Sequence, residues 1–118
     1  MLAVYGIKSC DTCRKARAWL ESQGIAHHWH DLRADGLDQA MLDRWIGRLG
    51  WEALLNKRGT TWRGLPAEQT AGLNEDKAKA LMLAHPALIK RPVFERDGMV
   101  VLGFTDAQKA QLAAPTPA

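Results

Sequence analysis

Cysteine is scarce in this chain, with only Cys10 and Cys13 among 118 residues. A bond between them would close too short a loop to restrain the unfolded chain, so a stapling role is excluded. Long apolar runs are missing as well. The opening Met-Leu-Ala-Val-Tyr-Gly-Ile has neither a basic leader nor a full apolar stretch, and Lys8 interrupts it before a membrane span could form. The expectation is therefore a cytoplasmic protein with no membrane role. No run of five or more like charges occurs. A net charge of +3 and a pI near 9.1 arise from acids and bases mixed throughout, which argues against direct nucleic-acid binding. No internal repeat is visible.

What is present suffices for one core: 47% of the residues are hydrophobic, and a single domain is expected over 1–113 with 114–118 as a disordered tail. Leu2 to Ile7 is a short apolar run suited to a buried strand. From Asp11 to Gln23 the period becomes helical, with Cys13, Ala16 and Leu20 on one face and Gly24 placed just after a C-cap. Ile25 to Asp31 reads as a second strand. Met41, Leu42, Trp45, Ile46 and Leu49 then recur at helical spacing, and Gly50 closes that helix. Trp51 to Leu55 predicts a further short helix, Asn56 to Gly64 a loop, and Asn74 the N-cap of a long helix ending before Pro86. Two short runs, 93–96 and 99–102, flank Asp97-Gly98, a two-residue hairpin signal, and Thr105 with Gln108 offers a capping box for a terminal helix. The order β-α-β, helices, β-β-α predicts an α/β fold of thioredoxin-like (glutaredoxin-like) type. Its mixed sheet carries a helical insertion between the second and third strands.

Cys10-Asp11-Thr12-Cys13 falls where the first strand gives way to the first helix. The Cys10 sulfur should face free backbone N–H groups of the first helical turn, whose dipoles favour the thiolate. Lys8, Arg14 and Lys15 add nearby positive charge, and both effects lower a thiol pKa and make the sulfur nucleophilic. Cys13, three residues on and on the inner face, is placed to attack a mixed disulfide formed on Cys10. It is equally a residue that a core could use as a small hydrophobe. A zinc site would have to combine the pair with two of His27, His28 and His30, which show no ligand spacing of their own. No metal is expected.

Several tracts are more specific than any single motif: Tyr-Gly-Ile-Lys-Ser-Cys-Asp-Thr (5–12), Cys-Arg-Lys-Ala-Arg-Ala-Trp-Leu (13–20), Gly-Trp-Glu-Ala-Leu-Leu-Asn (50–56), Arg-Gly-Thr-Thr-Trp-Arg (58–63) and Ile-Lys-Arg-Pro-Val (89–93). Through them the chain, from Leu2 to about Leu112, resembles the arsenate-reductase-related family that includes glutaredoxin-like arsenate reductases, Spx regulators and YffB proteins. The 50–63 tract resembles the YffB branch. The resemblance implies that Cys10 is the catalytic cysteine and that Arg91 precedes a cis-proline, Pro92, which would bring Arg91 close to the sulfur. An ordinary edge-strand proline is the plainer reading of Pro92.

Arsenate reductases of this type hold oxyanion and glutathione with three arginines. Only the Arg91 position is filled here; Asn56 stands at another, and Gly103 or Phe104 at the third. Arg58 and Arg63 are the neighbouring loop residues that could substitute. The expected function is a thiol–disulfide oxidoreductase with Cys10, Cys13 and Arg91 catalytic, and with Lys8, Arg58, Arg91 and Pro92 contacting substrate. No bound cofactor is expected; glutathione is the expected co-substrate, and a redox partner protein is a further expected partner. The alternative is an Spx-like redox-sensing regulator that docks on RNA polymerase, at the C-terminal domain of its α chain, with Gly50 matching a glycine used in that contact.

Overall fold

The computed structural model describes residues 1–113, so the expected tail at 114–118 lies outside the described residues. β1 (Leu2–Gly6) alternates as an apolar strand should, burying Leu2, Val4 and Gly6 and leaving Ala3 and Tyr5 half-buried. It pairs in parallel with β2 (His27–Asp31) and antiparallel with β3 (Val93–Arg96), which in turn pairs antiparallel with β4 (Met99–Leu102). The sheet order is β2-β1-β3-β4, the mixed thioredoxin-like sheet that the sequence predicts. β3 and β4 are joined by Asp97-Gly98, both at positive φ (51° and 80°), the backbone a two-residue hairpin turn demands.

α1 (Asp11–Ser22) links β1 to β2, and α7 (Asp106–Ala113) follows β4. α1 ends where Gly24 takes a φ of 67°: the Gly24 N–H donates to the Glu21 carbonyl and the Ile25 N–H to that of Leu20. That pair of bonds is a Schellman cap, and it commits Ile25 to the helix. The second strand accordingly starts at His27, two residues later than expected. Leu2 and Val4 from β1, Ala16 and Leu20 from α1, Phe94, Val101 and Leu112 form one buried cluster, flanked by Trp19, Ile25, Trp29, Met99 and Phe104.

The described residues group into two compact units, one of 1–35 with 91–113, the other the inserted Gly36–Lys90. The insertion contains α2 (Gln39–Leu49), α3 (Trp51–Leu54), α4 (Thr60–Arg63), α5 (Ala67–Thr70) and α6 (Glu75–Ala84), then a 3-10 turn at Pro86–Leu88. Asp38 caps α2 by accepting from the Met41 N–H at 2.9 Å, and Asn74 caps α6 through the Lys77 N–H at 2.9 Å. Leu42, Trp45, Leu54 and Met82 are fully buried. α4 corrects the expected loop at Asn56–Gly64. A single turn is too short to show a period in sequence. Here the Arg63 guanidinium holds it by donating to the Gly59 and Arg58 carbonyls. α5 is another such turn, entered through Pro66.

β1 ends on a glycine for a steric reason. A Cβ on Gly6 would stand 2.5 Å from Cys13 Sγ and 3.0 Å from the Trp29 ring, so Cys13 packs against bare backbone. Gly6→Ala should therefore destabilise the protein by about 1–3 kcal/mol, the usual effect of overpacking a closed core. Urea unfolding checks this, and pairing Gly6→Ala with Cys13→Ala should recover part of the loss.

Candidate active site

Cys10 is the residue before α1, with extended backbone (φ −81°, ψ 119°) that suits an N-cap position. Its N–H donates to the Ile7 carbonyl at 3.0 Å and its carbonyl accepts from Arg14 N–H at 3.0 Å, so the turn from β1 into α1 is closed on both sides of the sulfur. Cys10 is partly exposed and Cys13, one turn into the helix, is fully buried. No capping hydrogen bond of normal geometry runs to the Cys10 sulfur. Its environment still favours the anion. Burial pushes the Cys10 thiol up, but the Cys13 N–H, the Cys13 thiol and the Arg91 guanidinium together outweigh burial and hold its pKa below the ordinary value. Cys13 moves the other way. Burial pushes its thiol up to about 12, and the neighbouring Cys10 sulfur adds to the rise while the Ile7 N–H opposes it.

The pair is thus split into one sulfur disposed to ionise and one disposed to keep its proton. Of the cations the sequence suggested, Arg14 is paired with exposed Asp11, and the one that acts on the sulfur is Arg91. Arg91 comes from the far side of the chain. The Arg91–Pro92 peptide is cis, Pro92 is buried, and its carbonyl accepts from Gly103 N–H at 2.9 Å. Lys8 is exposed, two residues before Cys10.

Arg58 lies in the inserted unit, where its N–H donates to Asn56 Oδ1 at 3.0 Å. Asn56 also gives its own N–H to the Leu88 carbonyl at 2.7 Å, so this residue, at the place of one family arginine, shapes the loop. Arg63 is committed to the backbone of α4. Phe104 packs edge-on against Trp19 with ring centroids 5.7 Å apart. The histidines do not gather either: His27 Nδ1 is 3.0 Å from the Ile25 carbonyl, and no group of three or more His, Cys, Asp or Glu side chains among the described residues is arranged to hold a metal.

Asp31 is a residue that sequence reasoning missed. It closes β2, is only 6% exposed, and its carboxylate accepts three backbone N–H bonds, from Lys8 at 2.9 Å, Arg33 at 2.8 Å and Ala34 at 3.0 Å. Its own N–H donates to Asp35 Oδ2 at 2.8 Å. The bond to Lys8 ties the loop before Cys10 to the end of β2. The only cue in sequence is an aspartate at a strand end followed by a short polar turn, which is common enough to pass unremarked.

A mixed sheet with a Cys-x-x-Cys turn opening its first helix and a cis-proline arginine facing the sulfur defines a thiol-active domain of thioredoxin type. The chain belongs to the ArsC family, whose model matches residues 5–112. Among relatives, it is 43% identical over 108 residues to an uncharacterized protein of Haemophilus influenzae, covering 92% of this chain and 95% of that one. It is 26% identical over 111 residues to the global transcriptional regulator Spx 2 of Bacillus anthracis, covering 92% of this chain and 83% of that one. Among solved structures, a YffB protein superposes with a TM-score of 0.90 at 48% identity over 96% of this chain and 100% of that one. An arsenate reductase from Vibrio cholerae superposes with a TM-score of 0.80 at 25% identity, covering 94% of this chain and 96% of that one.

The three N–H bonds and the charge of Arg33 outweigh burial and hold the Asp31 carboxyl below its ordinary pKa. A lowered carboxylate pKa means stability that is complete above the unfolded value and disappears as pH falls through the folded one. Asp31→Asn should cost about 1.5–3 kcal/mol at pH 7, the worth of hydrogen bonds to a charged acceptor. The gap to wild type should be constant at neutral pH and close below about pH 4, where the unfolded carboxylate protonates. Urea midpoints measured across that range test both statements.

Proposed function

We propose that this chain is a thiol–disulfide oxidoreductase in which Cys10 is the nucleophile, Cys13 the resolving thiol, and glutathione or a similar small thiol the co-substrate. The observation that carries this reading is the opposite displacement of the two thiols, Cys10 downward and Cys13 upward. The Cys10 thiolate attacks one sulfur of a substrate disulfide, forming a mixed disulfide and releasing the other half as a thiolate. That step removes the negative charge from Cys10, and with it one of the causes that keep Cys13 protonated. Cys13 can then lose its proton to solvent and attack the Cys10 sulfur, freeing the second thiolate and leaving a Cys10–Cys13 disulfide. Two equivalents of a small thiol reduce that disulfide and are themselves oxidised. A reducing, cytoplasmic setting suits this cycle.

Arg91 has two uses in this scheme. It stabilises the thiolate before attack, and its planar donors suit a carboxylate of the co-substrate. Arsenate fits less well, because a tightly held oxyanion wants several guanidinium donors, and Asn56, Gly103 and Phe104 supply none. The regulator alternative rests on Spx relatives and on Gly50. The φ of 84° at Gly50, where α2 passes into α3, accounts for that glycine without a partner.

Parallel turnover assays with a glutathione mixed disulfide and with arsenate, glutathione being the reductant in both, test the reading. Reduction of the mixed disulfide should dominate and vanish in Cys10→Ser, and Cys13→Ser should accumulate the mixed disulfide on Cys10. Efficient arsenate turnover would show that the missing arginines are replaced from elsewhere. Failure to turn over either substrate, with no adduct on Cys10, would count against an enzyme.

A further inference from the structure

We propose that the cleft along the outer face of α1 is a docking subsite for the carboxylate of a small sulfur-containing substrate, seated between Lys8, Arg17 and Arg33. This deepens the oxidoreductase reading and rests on it, since it names the part of the substrate that is held while Cys10 attacks the sulfur. The cleft has a volume of about 700 Å³, and its lining includes Lys8, Ser9, Arg14, Arg17 and Arg33, with Asp31 as its one carboxylate.

The helix phase connects this cleft to the reactive sulfur. Cys10, Arg14 and Arg17 stand at i, i+4 and i+7, so they share one face, and Arg17 lies about 10 Å along the axis from Cys10. That is the span of a small peptide thiol from its sulfur to a terminal carboxylate. Ser9, which precedes Cys10, and Arg14, one helical turn after it, belong to the same cleft.

The cations are held in place by interactions that leave their outer side-chain donors uncommitted, the charge of Arg33 also acting on Asp31. Asp31 takes the backbone N–H groups of Lys8 and Arg33, fixing both residues while their side chains remain exposed. With three N–H donors already on it, the Asp31 carboxylate organises the floor of the cleft. Arg17 is half-buried with its Cζ 4.4 Å from the centre of the Trp29 ring, and its Nε is buried without a hydrogen-bond partner. Stacking fixes the guanidinium plane and lowers the entropy lost when its outer N–H groups bind an anion. Arg14 is paired with Asp11 and stays out of the seat. None of Lys8, Arg17 and Arg33 forms an ion pair within the described residues. Converging unpaired cations repel one another, and a bound carboxylate relieves that repulsion.

If Arg17 were only a packing residue on Trp29, charge in the cleft would not matter to the chemistry at Cys10. Two disulfide probes separate these cases in a Cys13→Ser background: dithiobis(nitrobenzoate), which carries two carboxylates, and neutral dithiodipyridine. The dianionic probe should react with saturable kinetics. Arg17→Gln with Arg33→Gln should slow it by about tenfold, the lower end of electrostatic focusing, while changing the neutral probe by less than about twofold. Arg48→Gln, an exposed cation outside the cleft, should alter neither. Arg33 is exposed, so Arg33→Gln alone gives the answer should Arg17→Gln unfold the protein. Equal slowing of both probes, or no slowing of either, would overturn the subsite while leaving Cys10 as the nucleophile. Failure of the parent protein to react with the neutral probe would instead sink the oxidoreductase reading, and the subsite with it.

Discussion

Partial burial of Cys10 raises the cost of ionising its thiol, and the site works only if the first turn of α1 and Arg91 supply more than that cost. The balance falls on the side of the anion. The contributors come from different parts of the chain: the Cys13 N–H and thiol from inside α1, the guanidinium from Arg91, two residues before β3. The sheet brings them together. β1 delivers Cys10, β3 delivers Arg91, and these two strands are direct neighbours with Val4 opposite Phe94. The positive charge beside the Cys10 sulfur is therefore a consequence of strand order.

The same logic explains two residues with no chemistry of their own. Gly6 lacks a side chain because the Cys13 sulfur occupies the space that a Cβ would need. Asp31 is buried because three backbone N–H groups at the ends of β1 and β2 have a common acceptor there. Together they fix the height of α1 on the sheet and the path of the loop before Cys10. Small errors in either position matter, since a thiolate gains from an N–H or guanidinium only at close range.

Much of this was legible in the sequence. The period of Cys13, Ala16 and Leu20, the Asp97-Gly98 turn and the Asn74 cap each have a local physical signature, and each lies where it was expected. The resemblance supplied Arg91 and the cis bond at Pro92, neither of which a single sequence can place beside Cys10. What stayed hidden depends on distant partners or on very short elements. α4 and α5 are single turns with no period to read. The late start of β2 follows from the commitment of Ile25 to the cap of α1. Asp31 looks like any turn aspartate until the Lys8 loop is folded against it, and Arg17 like any helix-surface arginine until Trp29 is beneath it.

The central claim is that Cys10 is a stabilised thiolate and that Arg91 is the cation responsible. The most direct test is the pH dependence of Cys10 alkylation in Cys13→Ser protein, with and without Arg91→Ala, melting midpoints being followed to confirm folding. The midpoint should lie below about 8.5, the value for a free cysteine, and should rise when Arg91 is removed. A midpoint at or above that value, or one indifferent to Arg91, would contradict the claim.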